Sequence, residues 1–257
     1  MADDEPSTRN EAARWADFDA DVYWKNNYAS VFPEDAQIIG RASAFLIKAF
    51  AGQPPVELAL DVGAGTNLYP ALLMLPWVKR ILFAEFATTN IDWLADNLAD
   101  ARGEWAWQQF WDLVADLPGY AGAGPPRPRL AACHEIRHLS IFKLPQRAFG
   151  LGSMFFVADG MTDDEAEFEK AVACFLGALT PGAPFMMAFM EGSRGYDVSG
   201  VRFPAVRVTP ASLEELLRRL PVTDTDMLRT DRSIRPLRLG YEAMLLVTGY
   251  ATAGPGG

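Results

Sequence analysis

The stretch LALDVGAGTNLYPALL, Leu58 to Leu73, constrains this chain more than any other. Val56 to Val62 reads as a buried strand, Gly63 and Gly65 form a turn, and Leu68 to Leu75 reads as a helix closed by Pro76. Glycine turns sharply and lets the backbone approach a ligand without a Cβ in the way. A strand passing through such a turn into a helix is the opening unit of a parallel α/β sheet. In such sheets ligands sit outside the carboxyl ends of the strands, where strand order reverses.

The rest of the chain repeats the alternation. Apolar residues recur at helical spacing from Pro33 to Phe50, and Arg80 to Glu85 is a short strand. Thr88 or Thr89 is expected to cap a helix to about Leu98. An aromatic-rich helical segment and the surface connection AGAGPPRPR follow, with a third strand expected at Leu130–Ile136. Further strands are expected at Phe149–Val157 and Phe185–Met190, on either side of a helix at Glu165–Leu179. An added hairpin is expected at Val201–Val208, then a Thr209-capped helix and a final strand at Tyr241–Tyr250. Residues before about Trp15 and the tail after Tyr250 are expected to be mobile. The aromatic cluster Trp105, Trp107, Phe110 and Trp111 reads as a packing face.

A dinucleotide loop needs a third glycine near Leu68, to bring the helix close to a pyrophosphate. Asn67, Leu68 and Tyr69 stand there instead, so the loop suits a nucleoside without a pyrophosphate, and S-adenosylmethionine fits best. Its ribose wants an acid at the end of the second strand, about twenty residues on. Glu85 stands there and could accept both hydroxyls, while Asp61 at the end of the first strand joins the cofactor set.

Composition narrows the partners. With 257 residues, half of them apolar, one large α/β domain can be filled. A net charge of −10 repels polyphosphate, which argues against nucleic acid. Two cysteines, Cys133 and Cys174, suit a reducing compartment and allow no metal quartet. The acidic N-terminus lacks the pattern of a secretory signal, and no apolar run is long enough to span a bilayer. The expectation is a cytoplasmic protein, monomeric or weakly dimeric, without metal or membrane association.

The segment YWKNNYA, Tyr23 to Ala29, resembles one ahead of the core in the nicotinamide, phenylethanolamine and thioether/indolethylamine N-methyltransferases. Tyr69 before Pro70, then Glu85, Phe86 and Asn90, match that family's glycine loop and ribose acid. Trp15 stands where the family often has another aromatic. The likeness resumes from Asp159 through TDDEAEFEKAV, and from TPGAPFMMAFM through Tyr196 to VRVTPASLEELL, so it covers most of the chain. It implies a class I methyltransferase, with a mostly parallel seven-stranded sheet, helices on both faces and an N-terminal helical lid. Lid, catalytic domain and tail would occupy residues 1–52, 53–250 and 251–257. The implied donor is S-adenosylmethionine.

By that resemblance Tyr23, Asn27, Tyr28, Gly63, Gly65, Asn67, Tyr69, Glu85, Phe86, Asn90 and Phe155 line the cofactor site. The family's acid after the third strand falls on CHEI, so His134 or Glu135 is expected near the adenine. Tyrosine hydroxyls can reach a carboxylate, and aromatic faces favour a sulfonium. Tyr28, Phe156, Asp159, Met190, Glu191 and Tyr196 are expected around the acceptor, with Asp159, Glu191 and Tyr28 as candidate catalytic groups. Ser193 and Pro236 stand where arylethanolamine enzymes carry carboxylates that hold an ammonium. The acceptor is therefore expected to be a small aromatic amine or an indole, methylated on nitrogen or on the nucleophilic C3 of an indole ring. The rival readings are a nicotinamide-dependent oxidoreductase and a non-catalytic binding module.

Overall fold

The structure, a computed structural model, describes residues 9–99, 105–231 and 238–254. A 3-10 turn at Trp15–Asp17 precedes helices α1 (Ala20–Asn27) and α2 (Pro33–Ala49). Asp19 caps α1 by accepting the Val22 amide, and Pro33 opens α2 where a missing N–H costs nothing. Strand β1 (Val56–Val62) leads into α3 (Tyr69–Met74), and β2 (Val78–Glu85) into α4 (Thr88–Ala99). Next come α5 (Gln108–Asp112), α6 (Pro126–Cys133), β3 (His134–His138), β4 (Leu151–Phe155), α7 (Glu165–Ala178) and β5 (Pro184–Met190). A hairpin of β6 (Tyr196–Val198) and β7 (Val201–Phe203), then α8 (Pro210–Arg219), β8 (Val222–Arg229) and β9 (Met244–Ala251), complete the chain.

Seven strands form one sheet in the order β3-β2-β1-β4-β5-β9-β8. The first five are parallel, while β9 runs antiparallel to both β5 and β8. Successive side chains of a strand point to opposite faces. Ala59 thus packs into the core shared with α2 and α3, and Leu60 and Val62 into the core beneath α7 and α8. Helices cover both faces, and the strand order reverses between β1 and β4. Among the described residues no helix is long and apolar enough to cross a membrane.

Several local expectations change. The third strand starts at His134, because the proline-rich connection runs into α6 with Pro126 in its first turn. Proline punctuates loops, but at a helix start its fixed φ is favourable. Helix α4 starts at Thr88 itself, so Ala87 stands at its cap, with its carbonyl accepting the Asn90 and Ile91 amides. The hairpin begins at Tyr196 and turns at Ser199–Gly200, both at positive φ, while Val208 bridges to Glu191. Strand β8, VTDTDMLR, is a half-exposed edge strand whose polar alternation carried no apolar signal.

The chain before Trp15 is docked where it is described. Arg9 Nε donates to Asp164 at 2.9 Å and the Asn10 amide to Glu167 at 2.9 Å. Ala251 is the last residue of β9, and the Thr252 amide donates to the Pro221 carbonyl. Residues 1–8 and 255–257 lie outside the described residues, as does Pro236.

Candidate active site

A cleft of about 760 Å³, its open mouth included, lies at the carboxyl ends of β1, β2 and β4, at the point where strand order reverses. Its floor is the turn after β1. The Gly63 amide donates to the Ala84 carbonyl at 2.7 Å, tying that turn to β2. Gly63 and Gly65 adopt φ of +57° and +52°, and a Cβ on Gly63 would stand 2.6 Å from Val157 Cγ1. Only glycine takes that conformation in that space without strain. Leu68, where a dinucleotide loop would carry glycine, is fully buried in the core.

Glu85 ends β2 and is 4 % exposed. Its Oε1 accepts the Phe86 and Ala87 amides at 2.7 and 2.8 Å, and Oε2 accepts the Gly65 amide at 2.9 Å. Burial pushes its carboxyl above the usual range, and these amides pull it back. A carboxylate offers about four lone-pair sites, and three are taken here. Holding both ribose hydroxyls therefore requires it to share or exchange an amide. Phe86 stands 37 % exposed at the mouth, against His138 at 5.8 Å, as a flat apolar wall. Thr66 Oγ1 and Asn90 Oδ1 are buried cavity-lining atoms without hydrogen-bond partners. Unpaired buried polar atoms beside a glycine cradle and a strand-end acid fit the polar amino-acid end and ribose of S-adenosylmethionine.

The N-terminal segment forms the roof. Tyr23 and Tyr28 line the cleft, as do Trp15, Phe18 and Tyr196. Trp15 stacks on Phe203 at 5.2 Å, Ser199 Oγ donates to Asp19 at 2.7 Å, and Trp93 Nε1 donates to Asp21 at 3.1 Å. The roof is thus pinned to the β6–β7 hairpin and to α4. Phe155 and Phe156 close the β4 side, with Phe156 held at φ +61°, a conformation that a non-glycine residue keeps only when its surroundings enforce it.

Of the residues expected at the cofactor, Tyr23, Tyr28, Gly63, Gly65, Asn67, Glu85, Phe86, Asn90 and Phe155 line the cleft together, and Phe156 and Tyr196 do so from the acceptor set. Others do not. Tyr69 is buried behind the wall, with its ring 6.2 Å from Tyr28 and 5.6 Å from Phe155. Asn27 donates to the Tyr23 carbonyl and faces a separate outer groove. Asp61 points into the α3 face of the sheet, where Ser153 Oγ donates to it at 2.8 Å; burial pushes its carboxyl up to about 8. His134 and Glu135 start β3 opposite Ile81 and Leu82, several residues short of the strand ends. Leu139 and Ile141, beyond β3, line the cleft in their place.

On the acceptor side, Asp159 lies behind Gly160, fully buried. Its Oδ2 accepts the Met190 amide at 2.8 Å and its Oδ1 has no partner. Burial raises its carboxyl to about 6, with Arg238 opposing. Met190 is buried in the sheet, and Glu191 turns away to pair with Arg229 of β8 at 2.7 Å. Trp107, Phe110 and Trp111 are buried packing residues. The sequence holds no signal for Arg238: the two arginines of RPLRLG form no pattern, and only the fold brings Arg238 against Tyr23 and Tyr196.

A family model described as the NNMT/PNMT/TEMT family matches residues 8–235. No curated protein matches the chain closely enough to count as a relative. Among solved structures, a SAM-dependent methyltransferase of Leishmania major aligns at 16 % identity over 84 % of this chain and 72 % of that one, with a TM-score of 0.52. The [4+2]-cyclase SpnF aligns at 14 % identity over 83 % and 82 %, with a TM-score of 0.51. A Burkholderia thailandensis 1,6-didemethyltoxoflavin-N1-methyltransferase with bound 1,6-didemethyltoxoflavin and S-adenosylhomocysteine aligns at 20 % identity over 84 % and 79 %, with a TM-score of 0.49.

Proposed function

The chain belongs to the NNMT/PNMT/TEMT family of S-adenosylmethionine-dependent methyltransferases, and from that premise we propose that its acceptor is a small aromatic nitrogen-containing metabolite, an amine or an indole. The observation that carries the reading is one cleft in which a glycine cradle and Glu85 meet an aromatic roof formed by Tyr23, Tyr28 and Tyr196.

When bound, S-adenosylmethionine supplies an electrophilic methyl whose bond to sulfur breaks as the bond to the acceptor forms, leaving a neutral thioether. The chain's task is then alignment and exclusion of water. Correct positioning alone can supply roughly 7–11 kcal/mol at best. Gly63 and Gly65 let the backbone approach the amino-acid end, and Glu85 and Asn90 hold the ribose. Phe86 flanks the adenine. Tyr23, Tyr28 and Tyr196 surround the transfer region with aromatic faces, which favour a cation. The pinned roof shields the displacement. A primary or secondary amine, or an indole, releases one proton for the methyl it gains, and Asp159 Oδ1, buried behind Gly160 without a hydrogen-bond partner, is a carboxylate oxygen free to take it.

A second reading is methylation at C3 of an indole. It is favoured by the cleft's chemistry: Glu85 is the only carboxylate among the described residues lining it, so no acid faces the acceptor to hold an ammonium. One experiment tests both. Incubation with labelled donor and a panel of arylamines and indoles should yield a methylated product, with the methyl located by mass spectrometry and NMR. Label transferred to no member of the panel would sink the acceptor class.

A further inference from the structure

Arg238 is 6 % exposed, and its Nη1 has no hydrogen-bond partner. Nη2 donates to Tyr23 Oη at 2.8 Å, and the guanidinium lies 4.2 Å over the Tyr196 ring. These two tyrosines separate the inner cleft from an outer groove and line both spaces. Arg238 lines the outer groove, yet a Cβ built on Gly160 of the inner cleft would stand 3.4 Å from its Nη1. The free N–H group therefore sits at the partition between the two spaces.

A buried guanidinium is costly unless an anion or a full set of acceptors compensates it. The nearby acid, Asp159, spends Oδ2 on the Met190 amide, and its Oδ1 makes no hydrogen bond to the guanidinium. Lys25 adds a second cation to the outer groove. The groove's acid, Asp197, is already paired with Arg202 at 2.9 Å. The groove thus presents unspent positive charge to whatever enters past Tyr196.

We propose that the acceptor carries a carboxylate, which Arg238 receives through Nη1 while its aromatic ring lies against Tyr23 and Tyr196. The donor fork of arginine matches a carboxylate in both charge and direction. The proposal rests on the methyltransferase reading and narrows its substrate class from aromatic amines and indoles to those that also bear an acid.

The test is calorimetry on the full chain loaded with S-adenosylhomocysteine, comparing indole-3-acetate with tryptamine and anthranilate with aniline. In at least one pair the acid should bind ~10-fold or more tightly than its partner, the scale of one charged hydrogen bond. Arg238→Gln should abolish that preference and Arg238→Lys should keep part of it, both retaining S-adenosylhomocysteine binding. Equal or weaker binding of the acid in both pairs overturns the proposal, as does an acid preference that survives Arg238→Gln. The wild-type comparison stands even if a variant folds poorly. Failure of the wild type to bind S-adenosylhomocysteine overturns the methyltransferase reading as well, whereas binding it without an acid preference overturns only this inference.

Discussion

Glu85 Oε2 accepts the Gly65 amide at 2.9 Å, so the acid ending β2 holds the glycine turn that follows β1. On the proposed function one carboxylate would serve both the loop and the ribose. Glu85→Gln should weaken S-adenosylhomocysteine binding by roughly 10- to 100-fold, since hydrogen bonds to a charged group contribute about 1.5–3 kcal/mol. Glu85→Ala should also lower stability, because three backbone amides lose their acceptor. Titration calorimetry paired with thermal unfolding separates the two effects, and unchanged affinity in both variants would remove Glu85 from the ribose site.

Gly63→Ala should destabilise the protein by about 1–3 kcal/mol, through both the left-handed backbone and the contact with Val157. Adding Val157→Ala should recover the steric share and leave the backbone share. Urea unfolding of the single and double variants reads both quantities, and a single variant as stable as the wild type refutes the strain.

Asp61 sets a pH dependence whose sign follows from its burial. Its carboxyl is raised from 3.8 to about 8, so the folded chain keeps a proton that the unfolded chain releases. Stability on this account is greatest at low pH and falls as pH rises from about 4 to about 8. Asp35, raised by burial to about 7, and Asp159, raised to about 6, act in the same direction. Asp61→Asn keeps an acceptor for Ser153 Oγ and removes the titration. The variant should show a shallower fall of Tm between about pH 6 and 8, and should be more stable than wild type at the upper end. Parallel Tm profiles would show that Asp61 does not titrate there.

Asp19 both caps α1 and accepts a hydrogen bond from Ser199 in the β6–β7 turn. Asp19→Ala should cost about 1 kcal/mol of helix stability. It should also loosen the roof, seen as faster amide exchange in α1 and faster dissociation of S-adenosylhomocysteine. Ser199→Ala should speed dissociation while sparing the cap, and unchanged exchange in both variants would show that this contact does not hold the roof down.

Much of the site was legible before the fold was known, because its parts are short-range. Gly63, Gly65 and Glu85 follow from a strand, a turn and a spacing, and the tyrosines of YWKNNYA from a local motif. The errors share one cause. His134 and Glu135 follow from matching CHEI to the family's acid after the third strand, and Glu191 from its nearness to Ser193, but a side chain reaches the cleft only from the last residue or two of a strand, and on the facing side. Asp61 is the next-to-last residue of β1, and the strand's alternation turns it into the α3 face of the sheet instead of the cleft.

The alternation of strands and helices, the glycine turn after β1 and the acid at the end of β2 determined the fold class and the kind of donor, since each depends on residues near one another in the chain. Tertiary structure alone decided which acids face the cleft, how the N-terminal segment roofs it, and that Arg238 stacks on Tyr196 against Tyr23. Arg238 lies 215 residues from Tyr23, and no local period encodes a contact made only when β9 closes the sheet beside β5.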